Sequence, residues 1–271
     1  YGETWEQRPL YYVALSSAEN MRNLADYRAG MQALANPQQT SNAEAERLLN
    51  QLPSSIWLSY GVHGNEISSP EAAMLTAWHL LAADDDATRA MLANTMVFID
   101  PVQNPDGRGR FVSRYYMTAG LEHSSDRISA EHNETWPSGR SNHYLFDLNR
   151  DWLALTQPEV AGQVDALLET FPLIFVDLHE MGGDQSYYFT PEARPYNPLI
   201  AISQRESLWV IGENNGKWFD RYGYDYFTRE IFDAFYPGYG ASWPLYHGTL
   251  AMTYEMASAR GHQFRTKDGD I

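Results

Sequence analysis

The sequence predicts an α/β fold built on a mixed, largely parallel central sheet flanked by helices. Three observations carry this. Short apolar runs, of a length suited to buried strands, alternate along the chain with longer stretches of helical periodicity. Four of the runs end in polar residues able to do chemistry. In sheets of this kind ligands bind beyond the carboxyl ends of the strands, and His63, Glu66, Asn104, His179 and Glu255 all fall there.

In chain order, PLYYVALSS (9–17) reads as the first strand, followed by helical stretches at 18–35 and 42–52. SSIWLSYGVHGNE (54–66) is the second apolar run, and the helix after it, 70–82, opens on Pro70 with Ser68 or Ser69 as its cap. A helix at 86–94 leads into TMVFIDPVQNPDG (95–107). Residues 105–146 are rich in Gly, Ser, Asn, His and Arg with little periodicity, which predicts a functional loop region. The helix 158–170 precedes FPLIFVDLHE (171–180), and 198–221, with Leu208, Ile211 and Trp218, is the last helix before TLAMTYE (249–255). No internal repeat or linker interrupts the 271 residues, so one domain spanning 1–271 is the simplest organisation.

Composition excludes several classes of function. Asp and Glu number 35 against 19 Lys and Arg, a net charge of -16, and no local basic patch relieves it, which disfavours nucleic acid and anionic membrane surfaces as partners. No apolar stretch approaches the roughly 20 residues of a membrane-spanning helix. There is no cysteine, so any transition metal must be held by His and carboxylate.

His63 and Glu66 form an H-x-x-E pair that a polar loop alone would explain. Its setting says more: an apolar strand enters, Gly61 and Gly64 flank the histidine, and a helix follows. A catalytic zinc takes three protein ligands and leaves a position for water, and His179, at the end of LIFVDLH, is the best third ligand. His79 sits in a helical pattern, His123, His132 and His143 fall in the 105–146 region, and His247 and His262 lack a strand-end setting. Hydrolysis of an amide also needs a carboxylate to carry the water's proton to the leaving nitrogen. Glu255, ending TLAMTYE, suits that role better than Glu180, which follows a ligand directly and points to the opposite side of its strand.

The ordered series HGNE, NPDG, FDLNRDW, VDLHE, FYPGYG and MTYE resembles the zinc metallocarboxypeptidases, the carboxypeptidase A-like peptidases, over most of the chain. The resemblance implies one zinc ion per chain on His63, Glu66 and His179, with Asp147 orienting the first histidine. It implies that Asn149 and Arg150 grip the substrate's terminal carboxylate, that Arg140 polarises the scissile carbonyl, that Tyr236 (or Tyr239 as second choice) closes over the substrate, and that Glu255 is the general base. The implied substrate is a peptide with a free C-terminal carboxylate. The pocket floor it implies lies near Ala241 and Ser242, where no acid sits, so a neutral or apolar C-terminal side chain is expected. An N-acyl amino acid deacylase of the aspartoacylase and succinylglutamate desuccinylase type shares HGNE, DLNR and DLH and is the alternative; NPDG and FYPGYG favour the peptidase.

Three departures from the resemblance stand out. Asn65 occupies the place of an arginine found in the vertebrate members, 18–52 reads as a helical insertion, and both ends look truncated or remodelled. An acidic, cysteine-free chain that starts without Met suits an exported bacterial peptidase, periplasmic or extracellular.

Overall fold

Residues 1–271 are described by a computed structural model, and each of the five apolar runs contributes a strand to it. The run 9–17 differs from expectation by dividing. β1 (Gly2–Glu3) and β2 (Pro9–Leu10) pair antiparallel as a separate two-stranded sheet, and only β3 (Val13–Leu15) joins the central one. The helical stretch 18–35 also divides at Asn23, into α1 (Ala18–Arg22) and α2 (Leu24–Ala35), and α3 (Asn42–Gln51) follows. Then come β4 (Ser54–Tyr60), α4 (Ser68–Ala82), α5 (Asp86–Asn94), β5 (Thr95–Asp100), α6 (Pro105–Thr118), α7 (Pro158–Thr170), β6 (Ile174–Gly182), β7 (Tyr187–Tyr188), α8 (Ile202–Tyr222) and β8 (Leu250–Ser258). No helix is long and apolar enough to cross a membrane.

The central sheet has the order β3-β5-β4-β6-β8-β7. Its four inner strands, β5, β4, β6 and β8, run parallel, and β3 and β7 close the edges antiparallel. Parallel strands need covering on both faces, and the period of two assigns the residues. Trp57, Phe98, Phe175 and Ala251 face α2 and α7, where they join Tyr27, Val160, Val164 and Leu167 in one core. Tyr60, Val97 and Ile99 face the other way and pack with Ala73 of α4. Trp57 and Phe98 stack with ring centroids 5.5 Å apart; truncating either to alanine would cost roughly 3–5 kcal/mol. Because the inner strands are parallel, their carboxyl ends lie together, and this places His63, Glu66, His179 and Glu255 at one edge of the sheet.

Two elements depart from the sequence reading. β7 is only two residues long, too short to show a period, and it was not anticipated. The region 105–146 is not all loop, because its first part is α6, with Pro105 at the first turn and the Asn104 side chain accepting from Gly107 N at 2.9 Å. Gly107 and Gly109 weaken the helical signal in the sequence. Gly107 is needed because a Cβ there would lie 2.4 Å from Gly139 O and 2.6 Å from Ser141 O.

Gly64 meets the same helix. A Cβ on it would lie 2.1 Å from Arg108 N and 2.6 Å from Gly139 O, so its bareness serves a backbone contact with α6 rather than one with a ligand. Gly61 is different, adopting φ +68°, a region open to glycine. Gly64→Ala is expected to destabilise the protein by about 3 kcal/mol, the upper part of the range for overpacking. Urea unfolding with an unchanged midpoint would show that the contact yields freely.

Asp100, at the end of β5, is wholly buried and accepts from Tyr1 Oη at 2.8 Å and Gln163 Nε2 at 3.2 Å. Burial pushes its carboxyl from 3.8 up to about 8. The folded state therefore holds a proton that the unfolded chain releases. Asp100 costs nothing below about pH 4, its contribution turns increasingly unfavourable as pH rises to about 8, and it is level above. Asp100→Asn keeps an oxygen for both donors and is expected to gain stability over the parent chain steadily between those limits, measured as the difference in urea midpoint. A difference that does not vary with pH would refute the assignment.

Candidate metal centre and substrate cleft

The carboxylate of Glu66 stands between two histidines. His63 Nδ1 is 2.7 Å from Oε1 and His179 Nδ1 is 3.1 Å from Oε2, and the ligand atoms of all three residues lie within 4.8 Å of one another. All three side chains are buried. The turn after β4 sets the first two, with Glu66 N donating to His63 O at 3.1 Å, and Glu180 N on β6 donates to Glu66 Oε2 at 3.0 Å. Burial alone would raise the Glu66 carboxyl, but the two histidines outweigh it and hold the group well below the usual range.

Each histidine turns its other nitrogen to a carboxylate. His63 Nε2 is 3.2 Å from Asp147 Oδ1, the contact expected of Asp147. His179 Nε2 is 2.9 Å from Asp177 Oδ2, and Asp177 had not been singled out. Its signal was present: two residues before His179 on one strand means the same face of the sheet. Burial pulls His179 down, yet Asp177 and Glu66 together hold it well above its usual value. Asp147 also pairs with Arg140, whose Nε and Nη2 each lie 3.0 Å from Oδ2, and His63 and Arg140 together keep its carboxyl low against the effect of burial.

A cleft of about 400 Å³ opens beside these residues, and Arg140, Asn149, Arg150, Tyr239 and Glu255 line it. Asn104 Nδ2 holds Arg140 O at 3.1 Å, which fixes the loop carrying that guanidinium. Asn149 Oδ1 accepts from Gly240 N at 2.7 Å, and Nδ2 lies 3.2 Å from His179 Nε2. The Arg150 guanidinium sits 4.6 Å over the Tyr239 ring. Tyr236 does not line the cleft; it is 40% exposed, its hydroxyl 3.5 Å from Arg150 O, while Tyr239 forms part of the wall. Glu255 is directly across from His179 in the β6–β8 register, and burial lifts its carboxyl to about 7.

Other expectations resolve as follows. Neither Ser68 nor Ser69 caps α4; Glu180 Oε1 does so, accepting from Ser68 N at 2.6 Å and Ser69 N at 2.9 Å. That contact engages Oε1 alone; β6 alternation turns Glu180 to the other face of the strand from His179, although the residue still touches the cleft wall. Asn65 is buried, with its Nδ2 on Glu134 Oε2 at 2.7 Å. His79, His123, His132, His143, His247 and His262 do not line the cleft, and the His123 and His262 rings stack on each other 3.8 Å apart. The acids reaching the cleft include two that the sequence reading missed, Asp233 and, more buried, Glu192. Glu192 arrives from the segment after β7, about 50 positions before Ala241 and Ser242, and no spacing signal marks it.

The description of one family, zinc carboxypeptidase, matches residues 1–171, more than half of the chain. The chain belongs to the zinc carboxypeptidase family. Zinc carboxypeptidase A 1 of Drosophila melanogaster is 25% identical over 74% of this chain and 48% of its own length. The solved carboxypeptidase A of Helicoverpa armigera aligns with a TM-score of 0.62 at 17% identity, covering 97% of this chain and 60% of that one. A metallo-carboxypeptidase of Pseudomonas aeruginosa, solved with (2-guanidinoethylmercapto)succinic acid, gives 0.58 at 16% identity, covering 94% and 54%. The chain thus spans about half the length of the zinc carboxypeptidases it matches. At such identities the solved structures speak for the fold, and that fold agrees with the mixed sheet expected from the sequence.

Proposed function

We propose that this chain carries the catalytic site of a zinc-dependent carboxypeptidase that hydrolyses the C-terminal bond of a peptide. The observation that carries the reading is the buried His63–Glu66–His179 group with a separate carboxylate, Glu255, facing the same cleft. The donor set fits zinc: two imidazole nitrogens and one carboxylate, with a carboxylate oxygen 3.2 Å from the far nitrogen of His63 and 2.9 Å from that of His179. Zinc bound there would acidify a water and polarise a carbonyl oxygen.

The chain's own groups supply the rest. Asn149 and Arg150 receive the substrate's terminal carboxylate, for which a guanidinium's planar fork is suited. Arg140, steadied by Asp147, faces the oxygen on which negative charge develops as the carbonyl carbon becomes tetrahedral. Glu255 accepts a proton from the attacking water as the new C–O bond forms, then delivers it to the amine nitrogen as the C–N bond breaks. Tyr239 already lines the wall, and the exposed Tyr236, its hydroxyl near Arg150 O, would swing inward to close over the substrate.

The experiment is bound-metal analysis paired with an end-group assay. One zinc per chain is expected, with release of the last residue from a free-carboxylate peptide and none from its C-terminal amide. N-acetyl-aspartate is expected to remain intact in the same assay. Equal cleavage of acid and amide would overturn the reading.

A further inference from the structure

A second cavity, of about 480 Å³, adjoins the catalytic cleft, and Glu192 is the one residue that lines both. One wall of this cavity is a face of α8, where Ile202, Arg205, Glu206 and Trp209 recur at helical spacing. The other is the segment after β7, with Arg194 and Tyr196. A hollow of this size, lined by aromatic and aliphatic side chains around a few charged groups, has the form of a small-molecule site.

Its two guanidiniums are uncommitted. The Cζ atoms of Arg194 and Arg205 lie 5.9 and 5.6 Å from the centre of the same Tyr196 ring, so one ligand seated beside that ring meets both. Arg205 Nε is buried and has no acceptor, a cost that an arriving ligand oxygen would remove. Elsewhere in this acidic chain arginines end on carboxylates, Arg89 on Asp86 at 2.8 Å and Arg127 on Asp184 at 2.6 Å, whereas neither Arg194 nor Arg205 has one within ion-pair distance.

The acids of the cavity set the charge of what it can hold. Glu206 is exposed at the edge, and burial holds the Glu192 carboxyl up at about 7, so that it is ionised only in part at neutral pH. Two guanidiniums against these acids leave room for a single negative charge, which suits a carboxylate better than a phosphate dianion. The rings of Tyr196 and Trp209, with the Ile202 side chain, suit an apolar or aromatic body behind that carboxylate.

We propose that this cavity is a second binding site, separate from the catalytic group, for an organic carboxylate with an apolar or aromatic body, its oxygens received by Arg205 and Arg194. The site does not depend on the carboxypeptidase reading, since neither arginine belongs to the catalytic machinery.

The test is calorimetry of the protein with phenylpropionate and its uncharged relative phenylpropanamide. The cleft has arginines of its own, so variants locate the binding. One equivalent of phenylpropionate is expected to persist in Arg150→Gln and to weaken about 10- to 100-fold in Arg205→Gln, and the amide is not expected to fill that site. Ile202→Glu changes a side chain that is 67% exposed, so the fold is kept; it places a like charge at the entrance and is expected to weaken the same equivalent about 10-fold or more. Peptide cleavage by these two variants is expected to match the parent chain. Binding left unchanged by Arg205→Gln and Ile202→Glu, binding that vanishes in Arg150→Gln, or equal affinity for acid and amide overturns the site. Phenyl phosphate held more tightly than phenylpropionate overturns the choice of a carboxylate.

Discussion

Glu255→Gln is expected to bind zinc as the parent chain does and to release C-terminal residues about 10³-fold more slowly, with KM little changed. The amide keeps the shape of the carboxylate but cannot accept the water's proton. Glu255 is suited to that task because it faces the cleft opposite His179 while remaining outside the three-residue ligand group. Burial lifts its carboxyl to about 7. Glu180 is the only other carboxylate immediately beside His179 in sequence, and its Oε1 is committed to the amides of Ser68 and Ser69. A variant with parent-like kcat would remove Glu255 from the chemistry. Zinc stoichiometry measured on the same sample separates that outcome from loss of the metal.

How far the sequence reveals such a site depends on what carries each residue. His63, Glu66, His179 and Glu255 were legible because each ends a strong apolar run, and parallel strands bring their carboxyl ends together whatever the loops do. Asp147, Arg140 and Asn149 lie outside the regular strands, and only the resemblance pointed to them. Asp177 was readable from strand alternation alone. Glu192 was not: it follows a two-residue edge strand, and its place in the cleft depends on how the chain folds back beside β8. The same limit hid α6. Gly107 answers to the backbones of Gly139 and Ser141, neighbours that a local reading of helical propensity does not see.

His179→Ala is the second large effect expected: stoichiometric zinc is lost, and peptide cleavage with it. The alternative is that Glu66 and His63 suffice, since they are close in sequence and share one turn. Against this, Glu66 meets each histidine through a different oxygen, 2.7 Å from His63 and 3.1 Å from His179, so removing His179 takes away one of the two imidazole nitrogens and leaves Oε2 with the Glu180 N–H alone. Asp177→Asn supplies the graded comparison. It leaves the imidazole in place but weakens the carboxylate that orients it, and should lower zinc affinity by about 10- to 100-fold without abolishing binding. Titration against a competing chelator ranks the two variants. If His179→Ala weakens zinc no more than Asp177→Asn does, His179 is not a ligand, and the role of the β6 strand end in the site must be reassigned.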